Sequence, residues 1–225
     1  MDFDVADFNG ADSYYSADGA REWADIQSVI SDMHLYLQGS LQAGKVGSAI
    51  FDPKASNLYL KSATHTRGWR TVPVPAGLRE FGNDWDGGKR ETLAEWQFSN
   101  YPFLWNNCIR SEAVYKTQLR LPGLELIKGL IIVTKSGIFP ASNSSLYFEQ
   151  AKAQLTAATA FDALTIPIRL VGLTIESGVL NYNAIWNEYV DRTSRTATRT
   201  AEIETRVTWK RRGKYGNPTA SFTRP

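Results

Sequence analysis

Two apolar runs constrain the fold of this chain more than any other feature of its sequence. The first, LIKGLIIVT, occupies residues 126–134, and the second, IPIRLVGLTIE, occupies residues 166–176. Both are nearly continuous and rich in β-branched residues, which is typical of strands that are covered on both faces. A helical pattern, SLYFEQAKAQLTAATA, separates them, and another helix is predicted from Phe103 to about Leu119. Strands that alternate with helices predict an α/β core around a covered sheet.

The C-terminal part of the chain has a different character. After Ser177 the sequence is rich in Asn, Tyr, Thr and Arg, with short alternating stretches such as EIETRVTWK. This composition, with its alternating stretches, predicts β-hairpins rather than further helices. We therefore expect an α/β core over residues 1–176 and a β-rich, basic C-terminal region or arm over residues 177–225.

Charge is distributed unevenly between these parts. The whole chain has a net charge of +2, but residues 181–225 contain nine Lys or Arg against four Asp or Glu, which gives +5 and leaves −3 for the rest. This asymmetry is typical of a protein with one face for a polyanion, and equally of a protein with a solvated basic tail. Charge alone leaves both interpretations open.

Several classes of protein lack support in the sequence. Cys108 is the single cysteine, so an intrachain disulfide framework and a Cys-x-x-Cys zinc cluster are excluded. His34 and His65 have no accompanying nucleophile pattern, and neither a Gly-x-Ser-x-Gly motif nor a phosphate-binding glycine loop occurs. No stretch approaches the roughly twenty apolar residues of a membrane span, and the acidic start differs from a signal peptide. We expect an unexported, cytoplasmic protein.

Three side chains that carry oxygen atoms form the candidate catalytic group. The segment TLAEWQF, residues 92–98, alternates as a strand and places Glu95 and Gln97 on one face, and Asp86 precedes this strand. Two carboxylates and an amide can hold a hard cation such as Mg²⁺, which activates water for phosphodiester hydrolysis. A Glu-x-Gln pair is, however, more often the polar face of a half-buried strand, and the pattern alone favours that interpretation.

The residues between Asp86 and Glu95 suggest a turn. Gly87 and Gly88 are adjacent and predict one at that point. Lys89 and Arg90 follow and are candidates for contacts to a phosphate.

Long blocks of the sequence resemble the BglII family of restriction endonucleases. They are GKRETLAEWQFSNYPFLWNNCIRSE, IIVTKSGIFPASNSSLYFEQAKAQL, KVGSAIFDP and IPIRLVGL, and they run in order over roughly residues 45–176. The resemblance implies a PD-(D/E)XK restriction-endonuclease core, in which a mixed central sheet is flanked by helices, together with a β-rich subdomain. It also implies a homodimer that encircles a palindromic site in double-stranded DNA.

The resemblance assigns roles to the catalytic group. Asp86 and Glu95 would be ligands of Mg²⁺, and Gln97 would be the third active-site residue, which positions the attacking water. Most members of the wider superfamily have lysine where this chain has Gln97, and the BglII type has glutamine. A carboxamide cannot act as a general base at neutral pH, so metal-bound water or the DNA phosphate must handle the proton.

The resemblance also assigns residues that read DNA, since amide, hydroxyl and guanidinium groups recognise base edges. They are Ser99, Asn100, Arg110, Asn143, Ser144 and Arg195. Taken by itself, the FPASNSS loop that contains two of them is better interpreted as a helix N-cap. Thr193 stands where the family has a tyrosine, so the GATC centre of the site is better supported than its outer base pairs.

We therefore expect a type II restriction endonuclease that requires Mg²⁺ and cuts a palindromic hexanucleotide with a GATC centre, with AGATCT as the best candidate. A companion DNA methyltransferase would protect the sites of a prokaryotic host. The alternatives are a sequence-specific DNA-binding protein that keeps the fold but does not cut, and a repair or nicking nuclease with no fixed sequence.

Overall fold

The described residues form two sheets, of which the first is mixed and has six strands. A computed structural model describes residues 1–191, 193–211, 216 and 218–223. The strand order of this sheet is β1-β8-β7-β6-β5-β4, and the parallel pairs are β6 with β7 and β7 with β8. Its strands are β1 (Asp2–Phe8), β4 (Arg70–Pro73), β5 (Asp84–Lys89), β6 (Thr92–Trp96), β7 (Gly129–Lys135) and β8 (Ile168–Thr174).

The second sheet has five strands in the order β11-β10-β9-β2-β3. All of its pairs are antiparallel except β2 with β9. The strands are β2 (Leu35–Gly39), β3 (Ala49–Phe51), β9 (Asn181–Glu188), β10 (Arg199–Lys210) and β11 (Thr219–Thr223). The hairpins expected after Ser177 are therefore present, and β9 joins them to β2, which in turn pairs with β3 from the N-terminal part of the chain. The division between residues 176 and 177 stays a prediction.

Within the part of the chain that the structure describes, five α-helices and one 3-10 helix connect the strands. The α-helices are α1 (Ala11–Ser16), α2 (Ala20–Ser31), α3 (Pro53–His65), α4 (Phe103–Thr117) and α5 (Phe148–Ala160), and the 3-10 helix covers Ala76–Phe81. The helix predicted after Pro102 is confirmed as α4.

The six-stranded sheet is covered on both faces, as the apolar runs predict. On one face, Leu93, Leu130 and Ile132 pack with side chains of α4 and α5. On the other, Ala94 and Ile131 belong to a core with α2, α3 and the second sheet. The α/β core with a mixed sheet and flanking helices is confirmed.

The turn predicted at Gly87 and Gly88 is wrong, because both glycines lie inside β5. The chain reverses between Lys89 and Thr92, at Arg90, whose φ is 49°. A methyl group on Gly88 would overlap Val72 and Leu124, so close packing rather than a turn explains this glycine.

Candidate active site

The site forms where two neighbouring strands separate. The pairing of β5 with β6 runs from Lys89–Thr92 to Gly87–Ala94 and goes no further. At the next position the Asp86 carboxylate accepts a hydrogen bond of 2.9 Å from the backbone N–H of Trp96. A side chain thus takes the place of the next backbone contact between the strands. The gap brings Asp86 close to Glu95, as the candidate catalytic group requires.

Glu95 is nearly inaccessible and is paired with an arginine. Its carboxylate accepts a hydrogen bond from the Arg110 guanidinium, and both side chains are at most 5% exposed. Arg110 also donates to the backbone carbonyls of Phe81 and Asp84, at 3.1 and 2.9 Å. In this structure Arg110 therefore fixes the Glu95 carboxylate and the chain that leads into β5. Its expected role in reading DNA stays a prediction.

Gln97 lies on the same face as Glu95 but has other partners. Its Nε2 donates to the backbone carbonyls of Ser99 and Asn100, and its Oε1 accepts from Asn107 at 3.3 Å. Asn107 and Arg110 are three residues apart on α4, so they share one face of that helix. From this face Asn107 orients Gln97, and Arg110 orients Glu95. These two supporting residues have a helical spacing in the sequence, and the resemblance assigns a function to Arg110 alone.

The electrostatics of the two carboxyl groups favour a shared proton or a cation. Burial raises the pKa of Asp86, although the hydrogen bond from the Trp96 N–H opposes the rise. Burial raises the pKa of Glu95 to about 8, with the charge of Arg110 opposing and that of Asp86 adding to the rise. A hard divalent cation between such groups replaces the proton and removes the repulsion.

The donor set fits a hard cation of the Mg²⁺ type. Two carboxylates meet at one point, with the Gln97 amide two residues beyond Glu95, immediately after β6 ends. Within the residues that the structure describes, no cluster of three or more His, Cys, Asp or Glu side chains could hold a metal. Any metal here would therefore rely on Asp86 and Glu95, with water or DNA completing its shell.

Two loops that contain four of the expected DNA-reading residues lie beside the site and contact each other. Ser99, Asn100, Asn143 and Ser144 are all exposed, and the backbone N–H of Tyr101 donates to the Ser144 carbonyl at 3.0 Å. The N-cap of α5 is Tyr147 rather than a Ser or Asn of the FPASNSS loop, so the interpretation of that loop as a helix cap is wrong.

Three basic residues named from the sequence lie apart from Asp86 and Glu95. Lys89 is half-buried, and its Nζ donates to Asp25 at 2.6 Å and to the Arg67 carbonyl at 2.8 Å. Arg90 is exposed in the turn after β5. Arg195 is exposed between β9 and β10, in the part of the chain expected to reach the DNA. Contacts of all three with DNA stay predictions.

Comparisons with known proteins agree with this geometry. The family model described as "Restriction endonuclease BglII/BglIII" matches residues 3–173. The chain is 42% identical over 209 residues to the type II restriction enzyme BglII of Bacillus subtilis. The matched residues make up 92% of each protein. The chain belongs to the BglII/BglIII restriction endonuclease family.

Solved structures show that the fold of the family extends over the whole chain. The crystal structure of restriction endonuclease BglII complexed with a DNA 16-mer superposes with a TM-score of 0.89 at 38% identity, covering 99% of this chain and 100% of that one. The crystal structure of free BglII superposes with a TM-score of 0.73 at 32% identity and the same coverage.

Family membership settles the class of activity. The protein is a type II restriction endonuclease, that is, a site-specific deoxyribonuclease that binds and cleaves double-stranded DNA. Enzymes of this class usually use a divalent metal. Among the described residues, no helix has the length and apolar character that crossing a membrane requires.

Proposed function

We propose that this endonuclease acts as a homodimer, requires Mg²⁺, and cuts duplex DNA at a palindromic hexanucleotide with a GATC centre, with AGATCT as the best candidate. The observation that carries the proposal is the meeting of Asp86 and Glu95 at the gap between β5 and β6. A buried pair of carboxyl groups is costly for a protein unless it binds something.

Each residue of the proposed site has a separate role in hydrolysis. Asp86 and Glu95 would hold Mg²⁺, which when bound lowers the pKa of water and offsets charge on the phosphate. The Arg110 guanidinium holds Glu95 from the side of α4. Gln97 Oε1 accepts one hydrogen bond from Asn107, and a carbonyl oxygen has a second lone pair that can accept from the attacking water.

Gln97 positions the attacking water and does not remove its proton. Its Nε2 is held by the carbonyls of Ser99 and Asn100, so the amide plane is fixed relative to the loop that would meet the bases. A neutral amide does not act as a base at neutral pH. The proton therefore passes to solvent or to a DNA phosphate oxygen.

The base-reading residues support the proposed site. Ser99, Asn100, Asn143 and Ser144 are exposed on two adjoining loops and offer hydroxyl and amide groups of the kind that read base edges. The proposed role of Arg110 is contact with guanine, for which its Nη1 would exchange the Phe81 carbonyl for the base while Nη2 stays bound to Glu95. Arg195 would contribute to the outer base pairs, and Lys89 and Arg90 to phosphate contacts.

A palindromic site implies two-fold symmetry in the protein, because each subunit reads one half of the site. We propose on this ground that the enzyme is a dimer of identical chains. A cytoplasmic endonuclease of this kind would damage its host without a DNA methyltransferase that modifies the same sequence, so we propose such a partner.

Cleavage of plasmid DNA tests the proposal. Purified protein with Mg²⁺ should give discrete bands from a plasmid that contains AGATCT, and Asp86→Ala and Glu95→Ala should abolish them. Asp4→Asn, an exposed carboxylate on the edge strand β1, is the matched control and should cut as the wild type does. A gel shift in Ca²⁺ without cleavage in Mg²⁺ would instead support a DNA-binding protein. Cutting with no fixed sequence would indicate a nicking or repair nuclease.

A further inference from the structure

A buried lysine connects the two loops that flank the site. Lys135 is the last residue of β7 and only 1% exposed. Its Nζ donates to the backbone carbonyl of Phe98 at 2.5 Å and to that of Leu146 at 3.1 Å. Neither the family motif nor the catalytic group uses this side chain.

The surroundings of Lys135 are unusual for an ammonium group. Its Nζ lies 5.5 Å from the centre of the Phe51 ring and 4.9 Å from that of Tyr147. Burial lowers the pKa of Lys135 to about 7. Removing a cation from water is unfavourable, and an apolar side chain of similar size at such a position is often as stable or more stable. The stability of the sheet therefore does not explain why a lysine occupies this position.

The two carbonyl groups that Lys135 binds mark the edges of two strained loops. Phe98 immediately precedes Ser99 and Asn100, and Leu146 lies two residues after Ser144. Asn100 and Ser144 have φ values of 48° and 62°, in the left-handed region that residues other than glycine rarely adopt. Such conformations persist only where the surroundings determine them strongly, and they are concentrated at functional sites.

The direct connection between the loops is slight by comparison. Apart from the Lys135 contacts, the backbone hydrogen bond from the Tyr101 N–H to the Ser144 carbonyl, at 3.0 Å, joins them. A flexible cation with three donors can bind both loops at once, and it lies beneath them rather than on the surface that would meet DNA.

We infer that Lys135 is a positioning residue that fixes the two loops relative to each other, so that their side chains reach the base edges together. This inference rests on the proposed function, which assigns base reading to these loops. It implies that Lys135 governs how well the enzyme distinguishes its site from similar sequences, although it touches neither DNA nor the carboxylates.

The test compares Lys135→Met with a matched control. Methionine has a similar length but no donor, so both carbonyls lose their partner while the volume is nearly kept. Ile131→Val is the control, because Ile131 is fully buried on the same strand, on the same face, and away from both loops.

The first measurement is selectivity. Kd is measured in Ca²⁺, without cleavage, for a duplex that contains the cognate site and for one with a single altered base pair. A single base pair contributes about 5- to 150-fold to discrimination. Lys135→Met should reduce the ratio of the Kd for the altered duplex to the Kd for the cognate duplex by about tenfold or more. In Mg²⁺, KM for the cognate duplex should rise more than kcat falls. Ile131→Val should keep the wild-type ratio.

The second measurement does not require DNA. Amide hydrogen exchange of the free protein should become faster in Lys135→Met at residues 98–101 and 144–146 and stay unchanged in the rest of β7. Should the methionine variant fail to fold, Lys135→Gln gives the same test, since its shorter amide should reach only one of the two carbonyls. Unchanged exchange in both loops, or unchanged selectivity in a folded variant, would overturn the inference. Wild-type protein that binds no DNA sequence selectively would refute the proposed function instead, and the exchange result would still decide whether Lys135 orders the loops.

Discussion

Gly82 provides a way to disturb Glu95 without altering Asp86, Glu95 or Gln97. It follows the 3-10 helix Ala76–Phe81 and has φ 130° and ψ 170°, a conformation that is essentially restricted to glycine. A methyl group at this position would overlap the guanidinium of Arg110. The end of an arginine side chain can usually move at little cost, but this one donates to Phe81, Asp84 and Glu95.

Two costs determine the expected effect of Gly82→Ala: the strained backbone conformation and the displacement of the Arg110 guanidinium. The backbone conformation costs about 1–3 kcal/mol for a residue with a side chain, and loss of the charge-assisted contact to Glu95 costs about 1.5–3 kcal/mol. Together they lower the free energy of unfolding by about 2.5–6 kcal/mol, a large part of the roughly 5–15 kcal/mol that is typical of a folded protein. Cleavage should also fall sharply, because Glu95 loses the group that orients it.

The measurement combines urea denaturation with a plasmid cleavage assay. Gly77→Ala is the matched control, because it lies in the same 3-10 helix with a negative φ and no atom within 4 Å of the added methyl group. The control should stay within about 0.5 kcal/mol of the wild type and cut normally. If the two variants were equally stable and equally active, the account of Arg110 as the support of Glu95 would be refuted.

Two further predictions concern other charged side chains. Burial alone would raise the pKa of Glu112, but hydrogen bonds from Thr165 and from the backbone N–H of Ile166 outweigh it and hold the pKa below its usual value. The stabilisation is therefore present above the unfolded pKa of about 4.3 and is lost as pH falls through the folded pKa. Glu112→Gln should lower stability by about 1–3 kcal/mol at neutral pH, and a difference from the wild type that stayed constant down to pH 3 would contradict this explanation. Lys89→Met should lower stability, because the Lys89 Nζ is bound to Asp25. The proposed phosphate contact of Lys89 also predicts a decrease of about 1 in the slope of log Kd against log salt, and an unchanged slope would contradict that contact.

The sequence predicted the parts of the fold that depend on local pattern. Continuous β-branched runs gave β7 and β8, and the period of two at residues 92–98 placed Glu95 opposite Ala94 and Trp96, as the two separate cores confirm. These patterns are reliable because burial on one or both faces of a strand leaves few alternatives for the residues concerned.

The glycine pair shows where local pattern fails. Two adjacent glycines usually indicate a turn, yet Gly88 lies within β5 because neighbouring side chains approach its backbone closely. Tertiary packing, which no short window of sequence contains, decided the conformation. The second sheet is a similar case, since β2 and β9 pair in parallel although they are far apart in the chain.

The candidate site was predictable in part. The resemblance to a family pointed to Asp86, Glu95 and Gln97, whereas the residue pattern alone favoured an ordinary polar strand face. The supporting roles of Asn107 and Arg110 depend on how α4 packs on β6, and Lys135 follows an apolar run in which a lysine gives no signal of function. Such contacts emerge only from the arrangement of elements in space.

Mapping the ends of cleaved DNA is the most direct test of the central claim. A plasmid with known AGATCT and GATC positions is digested with purified protein and Mg²⁺, and run-off sequencing locates the breaks on both strands. The account predicts breaks on both strands at symmetrical positions within one palindrome with a GATC centre, and none with Asp86→Ala. Breaks at unrelated sequences, or an intact plasmid in which AGATCT is present and unmethylated, would contradict it.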